Sequence, residues 1–331
     1  MSRRDDIDRV KGFAIILVVL GHLVARADPL NVDWYEPMRR AIYAFHMPLF
    51  LYLSGMIAMH SGFLVTKRPL WLRVIRARAQ RLLIPFFGLG ILIVVAKLAL
   101  GRFIYVDNPP AGLVSGLLDL FWNTEDSPAL SIWYLFVLFS VSLITLVLVD
   151  ARPQRLPWLL LGALLLYAVP LPAYMYLDRI GTYAVFFMFG ANASRLGARW
   201  ERFMARFWPG LLVMLASSIA VIVIYGEYWP ERLILLPVGA LSMPAIHGWL
   251  RFSPVSTSQI LKWLGRNSFM IYFFNTMFIG LTKGIWLCFA SWNGDHFIPL
   301  ALLMTGTGLL GPISLKKLVF RRIRRLDRLT D

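Results

Sequence analysis

The sequence has a single cysteine, few charged residues and no internal repeat. With only Cys288, the chain cannot form an intramolecular disulfide, and a thiolate metal site is implausible. Charged residues make up 16% of the 331 residues, against roughly 25% in soluble domains. Hydrophobic residues make up 58% and recur in windows near 20 residues long, the length a helix needs to cross a bilayer. The composition predicts an all-α, polytopic integral membrane helical bundle.

About ten transmembrane helices are predicted, in one domain covering residues 1–331 with no appended soluble domain. The apolar windows lie at residues 12–26, 42–60, 82–100, 130–149, 156–172, 180–195, 208–225, 232–250, 267–288 and 297–316. With the N-terminus in the cytoplasm, 26 of the 34 Lys and Arg residues fall on the inner side, as the positive-inside rule requires. The even number of spans then places both termini inside.

The net charge of +16 does not indicate nucleic-acid binding. The cations lie in short loops between apolar windows, where topology and anionic lipid head groups account for them. The N-terminus also imitates a secretory signal, with a cleavage-like Ala25-Arg26-Ala27. Because Asp5, Asp6 and Asp8 precede the apolar stretch, we expect a retained first helix instead.

The first window, DRVKGFAIILVVLGHLVAR, contains a histidine. On an α-helix Lys11 and His22 share a face, because eleven steps of 100° return to within about 20° of the start and rise roughly 16 Å. This geometry suits a ligand whose anionic head meets Lys11 and whose reactive arm reaches His22. A neutral imidazole there is matched to removing a proton from a hydroxyl. The alternative is a structural histidine bonded to a neighbouring helix.

The second window contains FHMPLFLYLSGM, residues 45–56. Proline in a membrane helix frees a carbonyl and often marks a cavity, so Pro48 points to one here. If the first two spans are antiparallel neighbours, His46 approaches His22 in the outer half of the bilayer. A packing role for His46 is the alternative. No third ligand has suitable spacing, so no metal site is predicted.

These motifs resemble the acyltransferase family 3 membrane proteins, most closely the fucose 4-O-acetylase-like branch. DIDRVKGFAIILVVLGH matches the family's opening, with Lys11 in place of the commoner arginine and His22 as its histidine. FHMPLFLYLSG, RAQRLLIPFF, SIWYLFVLF, YAVFFMFGANASR and LGRNSFMIYFFNTMF resemble later helices in the expected order, covering residues 5 to about 280. Many relatives carry histidine where this chain has Asn275, so we expect this residue to hydrogen-bond a substrate rather than handle a proton.

The resemblance implies transfer of an acyl group, usually acetyl, from cytoplasmic acyl-CoA to a glycan hydroxyl at the bacterial inner membrane. It implies that His22 is the base or a transient acyl carrier, that Lys11 fills the family's basic position, and that His46 is the next candidate. Expected substrate- or donor-binding residues are Asp8, Arg81, Trp133, Asn267, Ser268, Tyr272 and Asn275. Acetyl-CoA is the expected co-substrate, and the expected partners are membrane lipids and a glycan acceptor, lipid-linked in one alternative.

The inward loop at residues 67–81 carries six cations and no carboxylate. Because CoA carries several phosphates, this loop is a candidate donor contact, with topology and anionic lipid as the alternative. Arg81 stands at the entrance of the third window, where it is placed to turn toward a phosphate.

The rival class is a transporter or flippase with structural or proton-relay histidines. Such proteins are commonly built from repeated halves and carry ion-coupling groups near the midplane. This chain shows no repeated halves and has few carboxylates within its windows. These features favour the enzyme.

Overall fold

In the computed structural model, the described residues are 4–24, 31–103, 106 and 108–322, and they form thirteen α-helices and no β-strand. The helices are α1 (Asp5–Gly21), α2 (Tyr35–Tyr43), α3 (His46–His60), α4 (Trp71–Leu100), α5 (Leu113–Asp119), α6 (Trp133–Val149), α7 (Leu156–Ala168), α8 (Leu177–Leu196), α9 (Ala198–Tyr225), α10 (Glu231–Phe252), α11 (Gln259–Arg266), α12 (Ser268–Trp286) and α13 (Gly294–Leu318). The all-α prediction is confirmed. The cleavage-like motif at residues 25–27 and the basic tail from residue 323 lie outside the described residues.

Six helical segments of the described chain are long and apolar enough to cross a membrane. They are Tyr35–His60, Arg68–Leu100, Leu130–Val149, Ala198–Tyr228, Glu231–Phe252 and Gly294–Arg322. These segments identify a membrane protein. Helices α1, α7, α8 and α12 overlap predicted windows without meeting the same requirement, so the count of ten and the inward termini stay predictions.

Helix α3 is largely buried, and it packs against α8 through two glycines. A Cβ added at Gly190 would lie 1.9 Å from the carbonyl oxygen of Tyr52, and one at Gly55 would lie 2.0 Å from that of Phe187. Both neighbours are backbone atoms, which cannot rotate away. Small residues therefore set the approach of the two helices, as is common between membrane helices.

The predicted end of the first window is wrong. Helix α1 ends at Gly21, so His22 follows the helix instead of lying within it. The hydroxyl of Tyr35 donates to the carbonyl of Leu20 at 2.6 Å, and the hydroxyl of Tyr43 donates to that of Gly21 at 2.9 Å. These bonds satisfy carbonyl groups that a further helical turn would otherwise use.

The loop after α6 carries an ion pair at Asp150, the residue that follows the segment Leu130–Val149. Arg68 Nε donates to Asp150 Oδ1 at 2.8 Å, and its Nη2 donates to Oδ2 at 3.0 Å. This bidentate bond holds the pKa of the Asp150 carboxyl below its usual value. The pair therefore stabilises the folded protein at neutral pH, and this stabilisation is lost as the pH falls through the lowered pKa of the carboxyl.

We expect Gly190→Ala to destabilise the protein by about 3 kcal/mol or more, because the added methyl group would force two backbones apart. The measurement is the unfolding temperature of the purified protein in detergent. Gly162 in α7 is the matched control, since nothing lies within 4 Å of a Cβ added there. Gly162→Ala should leave the unfolding temperature unchanged or slightly raised. Equal losses in the two variants would contradict the packing account.

Candidate functional site

A cavity of about 1030 Å³ lies among the helix ends that are predicted to face outward. Four predicted site residues line it, namely His22, His46, Trp133 and Tyr272. It extends inward as far as Leu315, in the last turn of α13. Sequence reasoning did not select its other charged lining residues, which are Glu36, Arg39, Arg40, Lys97, Asp178, Arg179, Glu231, Arg232 and Lys283. These residues follow no local motif, and only the fold brings them together.

The imidazole of His22 is held by the amide of Asn275. His22 Nδ1 lies 2.9 Å from Asn275 Oδ1. The amide nitrogen of Asn275 donates to the carbonyl oxygens of Ile271 and Tyr272, at 2.8 and 2.9 Å, which fixes the orientation of the amide. Its oxygen must then accept, so Nδ1 of His22 carries a hydrogen, and in the neutral imidazole Nε2 keeps its lone pair. Asn275 is fully buried.

His46 is held in the same tautomer. Its Nδ1 lies 2.8 Å from the carbonyl oxygen of Ile42, which can only accept a hydrogen bond, so Nε2 again keeps its lone pair. His46 is the first residue of α3, and Pro48 therefore lies in the first turn, where a missing N–H breaks no helical bond. The expectation that Pro48 frees a carbonyl within a membrane helix is wrong. The structure does bring the two histidines to one cavity, as the sequence predicts.

Aromatic side chains form one wall of the cavity. The rings of Trp133 and Tyr183 have centroids 4.8 Å apart, and the guanidinium carbon of Arg179 lies 4.8 Å from the centroid of Trp133. The hydroxyl of Tyr272 accepts a bond from the backbone N–H of Tyr134 at 3.3 Å. Trp133 and Tyr272 are thus fixed by neighbouring rings and backbone.

Apart from Asn275, the other predicted site residues lie away from this cavity. Those not among its lining residues are Asp8, Lys11, Arg81, Asn267, Ser268 and Asn275, the last of which bonds His22 from behind. Asp8 pairs with Arg266 at 3.4 Å, and Arg81 lies 5.7 Å from the ring of Phe269. The predicted residues therefore form two groups, separated by the length of α1 from Asp8 to Gly21, about 20 Å.

A second pocket, of about 530 Å³, lies at this inner group. Its lining residues come chiefly from α11 and α13, and most of them are basic. They are Trp263, Arg266, Asn267, Ile313, Lys316, Lys317 and Arg321. Among the described residues, no cluster of three His, Cys, Asp or Glu side chains is placed to hold a metal ion.

The first turn of α1 carries a buried ionic network that the sequence does not reveal. Asp6, 6% exposed, accepts bonds from Arg4 at 2.6 Å, from His247 Nε2 at 3.2 Å and from Arg251. Since His247 Nε2 donates to the carboxylate, its Nδ1 accepts from the hydroxyl of Tyr52 at 2.9 Å. The network ties the start of α1 to α3 and α10. Asp6 and His247 are 241 residues apart, so no spacing pattern marks the pair.

Residues 4–317 match the acyltransferase 3 family, whose model is described as an acyltransferase domain, and the chain belongs to this family. Among curated proteins, the nodulation protein NolL of Sinorhizobium fredii (strain NBRC 101917 / NGR234) is 45% identical over 114 residues, and NolL of Mesorhizobium japonicum (strain LMG 29417 / CECT 9101 / MAFF 303099) is 36% identical over 115. Each match covers 34% of this chain and 28% of the relative, so the chain matches under a third of the length of either. No solved structure gives a significant match.

We expect Asp6→Asn to destabilise the protein by about 2 kcal/mol, because the buried carboxylate accepts charge-assisted bonds from the partly exposed Arg4 and Arg251, which an amide replaces only in part. The unfolding temperature of the purified protein measures this. Asp150→Asn is the matched control, since Asp150 pairs with the exposed Arg68 and exposed pairs contribute little. An Asp150→Asn variant that loses as much stability as Asp6→Asn would contradict the importance of the buried network.

Proposed function

We propose that the protein is an integral membrane O-acetyltransferase of the bacterial inner membrane. It moves the acetyl group of cytoplasmic acetyl-CoA to a hydroxyl of a cell-surface glycan or its lipid-linked precursor. The observation that carries the proposal is the cavity with two histidines whose Nδ1 atoms each face an oxygen acceptor, which leaves Nε2 as the basic nitrogen of the neutral imidazole. An Nε2 lone pair is what a general base or a nucleophile needs. Membership of the acyltransferase family supplies the reaction class.

His22 serves this reaction in one of two ways. As a base, its Nε2 takes the acceptor hydroxyl's proton while the hydroxyl oxygen attacks the thioester carbonyl and CoA thiolate leaves. As a nucleophile, Nε2 attacks the carbonyl first, CoA thiolate leaves, and the acceptor hydroxyl then displaces the imidazole and gives up its proton. In both cases Asn275 Oδ1 accepts from Nδ1–H and holds the ring in the required tautomer.

The donor enters from the inner end. Its phosphates lie near Lys11, Arg81 and Asn267, and its acyl arm extends toward His22. Two observations support this route. The second pocket is lined by four cations, and the large cavity reaches the last turn of α13, beside Lys316 of that pocket. The roughly 20 Å between the ends of α1 is comparable to an extended phosphopantetheine arm.

We expect His22→Ala to lower acetyl transfer by about 10²- to 10⁴-fold, the usual contribution of a positioned base. The assay uses the full chain in lipid nanodiscs, radiolabelled acetyl-CoA and bacterial membrane glycans as acceptors. His60→Ala is the control, because His60 ends α3 at the opposite end from His46 and is exposed. Undiminished transfer by His22→Ala would reject the role of His22. Solute uptake without dependence on acetyl-CoA would instead identify a transporter.

Asn275 is proposed as a positioning residue that acts through His22. We expect Asn275→Leu to lower kcat about 10- to 100-fold with little change in the KM for acetyl-CoA, because the tautomer of His22 is no longer fixed. Asn275→Gln keeps an amide oxygen that can accept from Nδ1–H and should recover part of kcat. Equal losses in the two variants, at unchanged folding by size-exclusion chromatography, would contradict the proposed role.

A further inference from the structure

One carboxylate oxygen at the cavity has no hydrogen-bond partner. Asp178 lines the cavity, and its Oδ1 is buried without a partner among the described residues. Buried polar atoms in folded proteins are nearly always bonded, so each exception needs an explanation, such as a ligand that completes the bond. A carboxylate oxygen can only accept, so the missing partner is a donor.

The local structure does not supply that donor. Asp178 is in the first turn of α8, where carboxylates often accept bonds from backbone N–H groups. Helix α8 has no side-chain cap, and the residue before it, Tyr176, has a left-handed backbone with φ of 58°. The guanidinium of the adjacent Arg179 lies over the rings of Trp133 and Tyr176, at 4.8 and 5.8 Å, where it faces aromatic rings.

The surroundings of Asp178 suit a sugar. Thr182, one turn further along α8, and Tyr183 line the same cavity, and the ring of Tyr183 packs against Trp133. Aromatic rings offer an apolar wall for the C–H faces of a pyranose, and a carboxylate accepts from its hydroxyls. The adjacent Arg179 faces Trp133, so the wall combines a hydrogen-bond acceptor, a cation and aromatic rings.

We propose that the Asp178 carboxylate turns its unsatisfied Oδ1 into the cavity, binds a hydroxyl of the acceptor sugar and thereby orients the neighbouring hydroxyl toward His22. The proposal rests on the proposed function, since it assigns the acceptor side of the same cavity. Asp178 is a specificity-determining residue in this scheme, because a sugar without a hydroxyl at that position leaves the carboxylate oxygen unsatisfied.

The kinetic test compares the full chain in nanodiscs with Asp178→Ala, Asp178→Asn and Asp295→Asn. The probes are radiolabelled acetyl-CoA and the p-nitrophenyl glycosides of fucose, galactose and glucose. For the best glycoside we expect Asp178→Ala to raise the acceptor KM about tenfold or more, the usual effect of losing a bond to a charged group. The acceptor KM of Asp178→Asn should lie between those of the wild type and Asp178→Ala, because the amide oxygen still accepts a hydrogen bond. The KM for acetyl-CoA should not change.

Asp295→Asn is the matched control, since Asp295 is also a first-turn aspartate, on α13, but is not a lining residue of the cavity. It should behave as the wild type. An unchanged acceptor KM in Asp178→Ala, or an equal rise in the KM for acetyl-CoA, would overturn the proposal. Because Oδ1 makes no bond within the described protein, Asp178→Ala should also keep its unfolding temperature.

A binding experiment separates this proposal from the proposed function. Saturation-transfer NMR measures contact of the same glycosides with the protein without any turnover. Contact that is strong in the wild type and weak in Asp178→Ala supports the sugar site, even if the wild type transfers no acetyl group and the proposed function fails. Equal contact in the two proteins would overturn the sugar site, even if acetyl transfer is observed.

Discussion

The hydrogen bond between His22 and Asn275 is the interaction on which the site depends. It joins the segment after α1 to α12, and it decides which imidazole nitrogen faces the cavity. Asn275 is the acceptor in this bond, because its amide nitrogen donates to two backbone carbonyls of its own helix. The reactive tautomer is thus a consequence of helical backbone geometry at Asn275.

Helix α1 brings His22 to this bond because both of its ends are fixed. At the first end, Asp6 is held by cations and by His247 of α10. At the other end, the hydroxyls of Tyr35 and Tyr43 bond the last carbonyls and stop the helix at Gly21. The backbone N–H of His22 donates to the carbonyl oxygen of Val19 at 3.1 Å, a tight last turn that ends the helix at the residue whose imidazole bonds Asn275. The termination of α1 is therefore part of the site.

The parts of this structure that could be predicted from the sequence are those set by local patterns. Each predicted apolar window overlaps a helix, because the length of a hydrophobic run is a local property of the sequence. The proximity of His22 and His46 was predicted from their positions in the first two windows, on the assumption that these two spans are antiparallel neighbours. The end of α1 was not predicted because it depends on a tertiary contact. The hydroxyls of Tyr35 and Tyr43, both on α2, bond its last carbonyl groups. Asp178 and His247 were missed for the same reason, as their significance comes from residues far away in the sequence.

A neutral amide behind His22 has a consequence that a carboxylate would not have. A carboxylate at this fully buried position would need its own counter-charge, and an unpaired buried charge is costly. Asn275 holds the imidazole without bringing a charge into the bundle, so the resting pair is neutral. Charge then develops only when Nε2 accepts a proton or attacks a carbonyl, and the amide oxygen stabilises the positive Nδ1–H at that moment. An amide at residue 275 is therefore compatible with the proposed reaction, in which we assign proton transfer to His22 and its orientation to Asn275.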